Sequence, residues 1–167
     1  MQMNQSMQKL LQDHAIADIK NIAPDNAYPI WQKQDAAGRP YYGTSHFWGM
    51  DRTPVSAERD LSILEWDGNE VHLDTEKEED IPRILTSAIG ILKAWKAELE
   101  QKYPHTPFYL FASYDNGDAL VLDEGEAPTQ CIFLRFWAYR GINTVIDFSD
   151  FDKWDAPAII EQCNFEL

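Results

Sequence analysis

Between Ile81 and Tyr103 apolar side chains recur at steps of three and four: Ile81, Ile84, Leu85, Ala88, Leu92, Trp95, Leu99 and Tyr103. That period lays one continuous apolar stripe along a helix of about six turns. Pro82 suits the first turn, and Pro104 cannot continue the helix. The acidic run Glu76 to Asp80 precedes it, where negative charge favours the positive end of the helix dipole. Thr75 and Glu78 have capping-box spacing, and Asp80 before Ile81-Pro82 is an equally good start. A stripe of this length has to be buried, so the rest of the chain must supply a broad apolar surface.

The segments on either side indicate what that surface is. Met7, Leu10, Leu11, Ala15, Ile19 and Ile22 predict a helix over Ser6–Ile22, stopped by Pro24. Residues 28–50 read as short strands around an Ala36–Pro40 turn. Leu61–Asp74 alternates across two faces about Asp67-Gly68-Asn69 and predicts a hairpin. Phe108–Tyr114 predicts a strand, turned by Asp115-Asn116-Gly117-Asp118 into Ala119–Leu122. An acidic loop, Asp123–Pro128, leads to a strand at Cys131–Arg140, and Gly141 turns into another at Ile142–Phe148. Asp155 and Pro157 open a short closing helix to Gln162. The expected class is α+β: a twisted antiparallel sheet with a long central helix and terminal helices packed against it. With 167 residues this is one domain.

Charge narrows the function. The chain carries 14 Lys and Arg against 28 Asp and Glu, a net of −14. Residues 1–60 hold 6 basic and 7 acidic side chains, whereas residues 61–167 hold 8 and 21. Such an excess argues against nucleic-acid binding, which needs clustered Lys and Arg on phosphates. It solubilises a surface, or steers a basic partner onto it. An aromatic content of 13% argues against disorder. The longest uncharged run, Tyr103–Tyr114, has 12 residues where a membrane helix needs about 20. With neither a basic leader nor an apolar core at the N-terminus, a cytoplasmic protein is expected.

No catalytic or cofactor signature emerges. His14, His46, His72 and His105 are scattered, and Cys131 and Cys163 form no ligand-spaced set, so no metal or cofactor is expected. There is no GxSxG, P-loop or GxGxxG, which points away from an enzyme. The Asp147, Asp150, Asp152, Asp155 spacing lacks the glycine and terminal Glu of a calcium loop and reads as a solvated turn. The most informative strand has two faces. Ile132, Leu134, Phe136 and Ala138 suit the long helix; Phe133, Arg135, Trp137 and Tyr139 set a guanidinium among rings. Two readings stand: Arg135 pairs with a nearby acid over an ordinary second core, or the face is a docking surface rich in hot-spot residue types. Pro40–Gly49, with Tyr41, Tyr42 and Trp48, is either a ring-bearing loop or a core strand.

The C-terminal stretch QCIFLRFWAYRGINTVIDFSDFDKWDAPAIIEQCNFEL, residues 130–167, resembles the immunity proteins of bacterial contact-dependent growth inhibition, in the group paired with a metal-dependent DNase toxin. The resemblance covers the second half of the chain and rests on overall pattern. It implies a protein that neutralises a cognate basic nuclease toxin, which adds a β-hairpin to the immunity protein's sheet. On that expectation the Phe108–Phe148 meander offers the sheet edge. Asp115, Asp118, Asp123, Glu124 and Glu126 then supply charge, Arg135, Trp137 and Tyr139 anchor, and Tyr41, Tyr42 and Trp48 stand behind them. The rival expectation is a small-molecule or carbohydrate-binding domain, or a hydrolase, using the aromatic face and paired carboxylates.

Overall fold

The computed structural model describes residues 1–48, 55–58, 60–117, 128–142 and 145–165. Its elements are β1 (Gln2–Met3), α1 (Gln5–Asp13), β2 (Ile30–Gln34), β3 (Pro40–Thr44), α2 (Leu61–Gly68), β4 (Val71–Thr75), α3 (Ile81–Lys102), β5 (Phe108–Asp115), β6 (Gln130–Ala138) and β7 (Ala158–Cys163). The fold is α+β. Five strands form an antiparallel sheet in the order β1-β7-β5-β6-β4, and β2 and β3 pair separately.

The expected long helix is α3, and it covers one face of the sheet. Leu85, Ile89, Leu92, Trp95 and Leu99 pack with Leu110, Leu134 and Phe136 in the main core. Trp95 meets Phe136 edge-on at 5.2 Å and donates its indole N–H to the Tyr28 carbonyl at 2.9 Å. Asp80 makes no side-chain cap to α3, and the Thr75 hydroxyl bonds Lys77 rather than closing a capping box with Glu78.

Four expectations are corrected. The first helix ends at Asp13, not Ile22, because Ala15 takes a left-handed φ of 57°. Ile16, Ile19 and Ile22 still reach the core, since the Lys93 ammonium holds the Ile19, Lys20 and Ile22 carbonyls at 2.6–2.9 Å across α3. Leu61–Gly68 is a helix, not half of a hairpin. Asp60 caps it by accepting from the Ser62 and Ile63 N–H groups, and two of its inward positions, Ser62 and Glu65, are polar, which hid the helical period. The expected closing helix is strand β7. It is buried on both faces, so its run of apolar residues reads alike as helix or strand. Finally, Ile142 and Val145–Phe148 lie outside any strand; Val145, Ile146 and Phe148 instead join the cover on the second face. The expected strand Ala119–Leu122 falls outside the described residues.

Glu65 and Asn69, both fully buried, hold the small hairpin to the main sheet through α2. Glu65 accepts from the Tyr42 N–H of β3 at 3.0 Å and the Ala138 N–H of β6 at 2.7 Å. Asn69 accepts from Thr44 N–H and donates to the Tyr42 and Phe136 carbonyls at 3.0–3.1 Å. Arg140 closes the network with bonds to Glu65 at 2.6 and 2.9 Å. Burial pushes the Glu65 carboxyl up, opposed by Arg140 and the two backbone donors. Removing one partner of such a buried pair strands the rest, so Glu65→Ala is expected to lower unfolding free energy by about 3–5 kcal/mol in a urea titration. A second carboxylate, Glu161 of β7, meets Lys96 of α3 and the Met1 ammonium. Burial raises its pKa, but these partners outweigh burial and hold the carboxyl below its ordinary 4.5. The unfolded chain therefore takes up this proton first as pH falls. The stabilisation is whole above about pH 4.5 and drains below it, and Glu161→Gln should flatten that acid arm of the stability–pH curve.

Candidate functional site

The face of the sheet away from α3 is closed by rings over part of its width. Tyr109, Phe111 and Trp137 lie beneath Phe148, Phe151 and Trp154 from the β6–β7 connection. Tyr109 and Trp137 stack at 5.4 Å, and Trp137 and Phe148 at 6.3 Å. Trp137 is thus an interior side chain, with its indole N–H among the buried groups that meet no partner among the described residues. Tyr139 is half-buried and donates its hydroxyl to the Gly141 carbonyl at 2.6 Å. Tyr41 and Tyr42 are buried as well: Tyr41 packs on Trp31, and Tyr42 on Phe108 and Tyr103. As anchors for a partner, Trp137, Tyr41 and Tyr42 are corrected to core residues, because their rings already fill this protein's own interior.

Arg135 follows the simpler of its two readings. Its guanidinium pairs with Glu70 and lies over the Trp66 ring, 4.2 Å from the centroid. Burial pulls its pKa below the ordinary arginine value. Asp115 is exposed at the end of β5 and caps its turn by accepting from the Gly117 N–H at 2.9 Å. Asp118, Asp123, Glu124 and Glu126 lie outside the described residues.

The expected sheet edge is also corrected. β5 lies between β7 and β6, and β6 between β5 and β4, so neither offers a border; β4 does. Antiparallel ladders alternate inward and outward backbone groups. Phe136 and Ala138 turn theirs toward Asn69, Ser62 and Glu65 of the α2 segment, so the even residues of β6 face away from β5. Val71, Leu73 and Thr75 pair with Leu134, Ile132 and Gln130, which leaves His72 and Asp74 presenting their N–H and C=O groups outward. Among the described residues no backbone group meets them there.

Acid surrounds this border. From Asp67 to Asp80 stand Asp67, Glu70, Asp74, Glu76, Glu78, Glu79 and Asp80, against Lys77 alone among Lys and Arg. Trp48 lies at its upper end, 67% exposed, with its backbone N–H on the Gly68 carbonyl at 2.9 Å and its indole N–H on the Glu70 carbonyl at 3.2 Å. Gly43 and Gly68 leave room for the Phe47 ring, which a Cβ at either position would overlap. This seating places Trp48 beside β4.

On the same face of β4 and β6 the structure brings together three residues that sequence spacing left apart. His72, Asp74 and Cys131 place one donor atom each within 4.8 Å of one another. Burial, with a hydrogen bond to Asp74, pushes the Cys131 thiol well up. Cys163 is pushed up to about 12 by burial, and neither cysteine is in a disulfide. The signal missed was His72-x-Asp74, which alternation puts on one face of a strand. A groove of about 620 Å³ lies nearby between Asp115 and Phe133 on one side and Asp155–Pro157 on the other. Its two carboxylates, Asp115 and Asp155, are both exposed.

No family model, curated protein or solved structure matches the chain.

Trp48 is held at the surface rather than within the core, so Trp48→Ala should change stability by no more than about 0.5 kcal/mol. Gly68→Ala forces Phe47 from its seat and should cost about 1–3 kcal/mol. Paired urea titrations check the contrast.

Proposed function

We propose that the protein is an immunity-type inhibitor that binds a basic nuclease toxin in the cytoplasm, of the kind its C-terminal half resembles, and has no catalysis of its own. The observation that carries this reading is the β4 border: an edge strand with outward backbone groups at His72 and Asp74, flanked by carboxylates, with an exposed Trp48 at one end. Edge strands invite pairing with any chain, and like charge is one way to refuse a second copy of the same protein. The same charge admits a cationic strand. Main-chain bonds then supply affinity, Trp48 supplies a large apolar anchor, and the carboxylates speed encounter. Nucleases are cationic where they bind phosphate, so an inhibitor of this charge is steered to the surface it has to block.

The test is co-expression with the toxin region encoded by the reading frame directly upstream of the gene. Wild-type protein should rescue growth and form a one-to-one complex. Trp48→Ala should weaken that complex by about 30-fold or more, as expected of a large aromatic anchor. Reversing Glu76, Glu78 and Glu79 to Lys should slow association at low salt by about tenfold or more, with little change at high salt. Failure of the wild-type protein to rescue overturns the reading, and unchanged affinity in both variants removes β4 as the contact.

A further inference from the structure

We propose that His72 and Asp74 of β4 and Cys131 of β6 form a binding site for a zinc-class divalent cation that ties the edge strand to its neighbour. The inference stands apart from the partner-binding reading and shares only β4 with it. Asp74 pairs directly with Cys131, and His72 is the next residue along β4 on the same face. The donor atoms already lie within 4.8 Å of one another. A tetrahedral zinc with Zn–S near 2.3 Å and Zn–N near 2.0 Å wants its ligand atoms about 3.5 Å apart. Side-chain rotations on the order of 1 Å close that gap, which is within reach because His72 and Asp74 are both exposed.

The surroundings are those of a supported ligand rather than of three neighbours by accident. One ring nitrogen of His72, Nε2, is held by the Glu70 carboxylate at 2.6 Å, and the ring sits edge-on to Phe133 at 4.8 Å. A carboxylate on one imidazole nitrogen fixes the tautomer and leaves the other nitrogen, Nδ1, as the one able to bind a metal. Glu70 is itself held by Arg135, which lies over Trp66, so the outer support reaches into the second core. Thiolate with imidazole selects zinc-like ions over magnesium or calcium, which prefer oxygen cages. Cys131 lies at the floor, and the exposed His72 and Asp74 leave an entry path from solvent. On binding, the Cys131 thiol loses its proton to solvent and the metal replaces it on sulfur. Asp115, paired with Cys131 from the other side on β5, is a candidate for a fourth ligand.

The experiment uses the full chain with Co²⁺ as the probe and Zn²⁺ as competitor. One equivalent of Co²⁺ should produce a sulfur-to-cobalt charge-transfer band with the strong visible bands of a tetrahedral site, and Zn²⁺ should abolish them. Cys131→Ser should lose the charge-transfer band, while Cys163→Ser keeps it. His72→Ala and Asp74→Asn should each weaken binding at least tenfold, and Glu70→Gln by about 10–100-fold through loss of imidazole support. A wild-type protein that gives no thiolate band, or a band that persists in Cys131→Ser, overturns the proposal. Should Cys131→Ser not fold, the exposed positions decide: unchanged affinity in His72→Ala and Asp74→Asn overturns it equally.

Discussion

A buried carboxylate and a buried amide on one short helix hold this architecture together. Among the described residues the main sheet and the β2–β3 hairpin share no strand pairing, and the upper part of β6 runs past the end of β4 without a strand partner on that side. Glu65 and Asn69 fill this gap by bonding to β3 with one set of atoms and to β6 with another. Side chains thus do the work that an additional strand would have done. The arrangement holds because every polar atom in it is answered, with Arg140 supplying the opposite charge. It also anchors the chain two residues before β4 begins, since Asn69 directly follows α2 and Val71 opens the strand.

Two cores follow from this frame, and they differ in kind. On one face α3 offers a conventional aliphatic stripe. On the other, an irregular connection lays Phe148, Phe151 and Trp154 over Tyr109 and Trp137. Large rings can cover a sheet without regular secondary structure because each buries a large area and tolerates offset or edge-on contacts. That cover ends short of β4, whose face carries Glu70, His72 and Asp74. Charge, open backbone and two of the three candidate metal-ligating groups are therefore concentrated on one strand. The inhibitory reading and the proposed cation site both draw on it for separate reasons, one through main-chain groups in the plane of the sheet and the other through side chains normal to it.

Several parts of the fold were legible in the sequence because they depend on local periodicity. The stripe from Ile81 to Tyr103 could bury itself only as a helix, and the alternation of Ile132, Leu134, Phe136 and Ala138 matched the face that α3 covers. Local pattern failed where burial was two-sided or polar. β7 carries apolar residues on both faces, so it resembled a short helix, and α2 hides Ser62 and Glu65 inside, so it resembled a hairpin. The candidate site suffered most. Trp137, Tyr41 and Tyr42 have the composition of a binding surface, but composition does not say whether a ring faces a partner or the protein's own core.

The amino-acid sequence alone determined the class of fold, the length and position of the central helix, and a charge of −14 weighted toward the second part of the chain. These follow from spacing and counting, which need no partner in space. Only the tertiary structure decided which strand lies at the border, which aromatic rings are interior, and that His72, Asp74 and Cys131 meet. Each of these depends on strand order and register between segments distant in the chain. Such pairings are chosen by how both faces of the whole sheet become covered, a condition that no single segment can express.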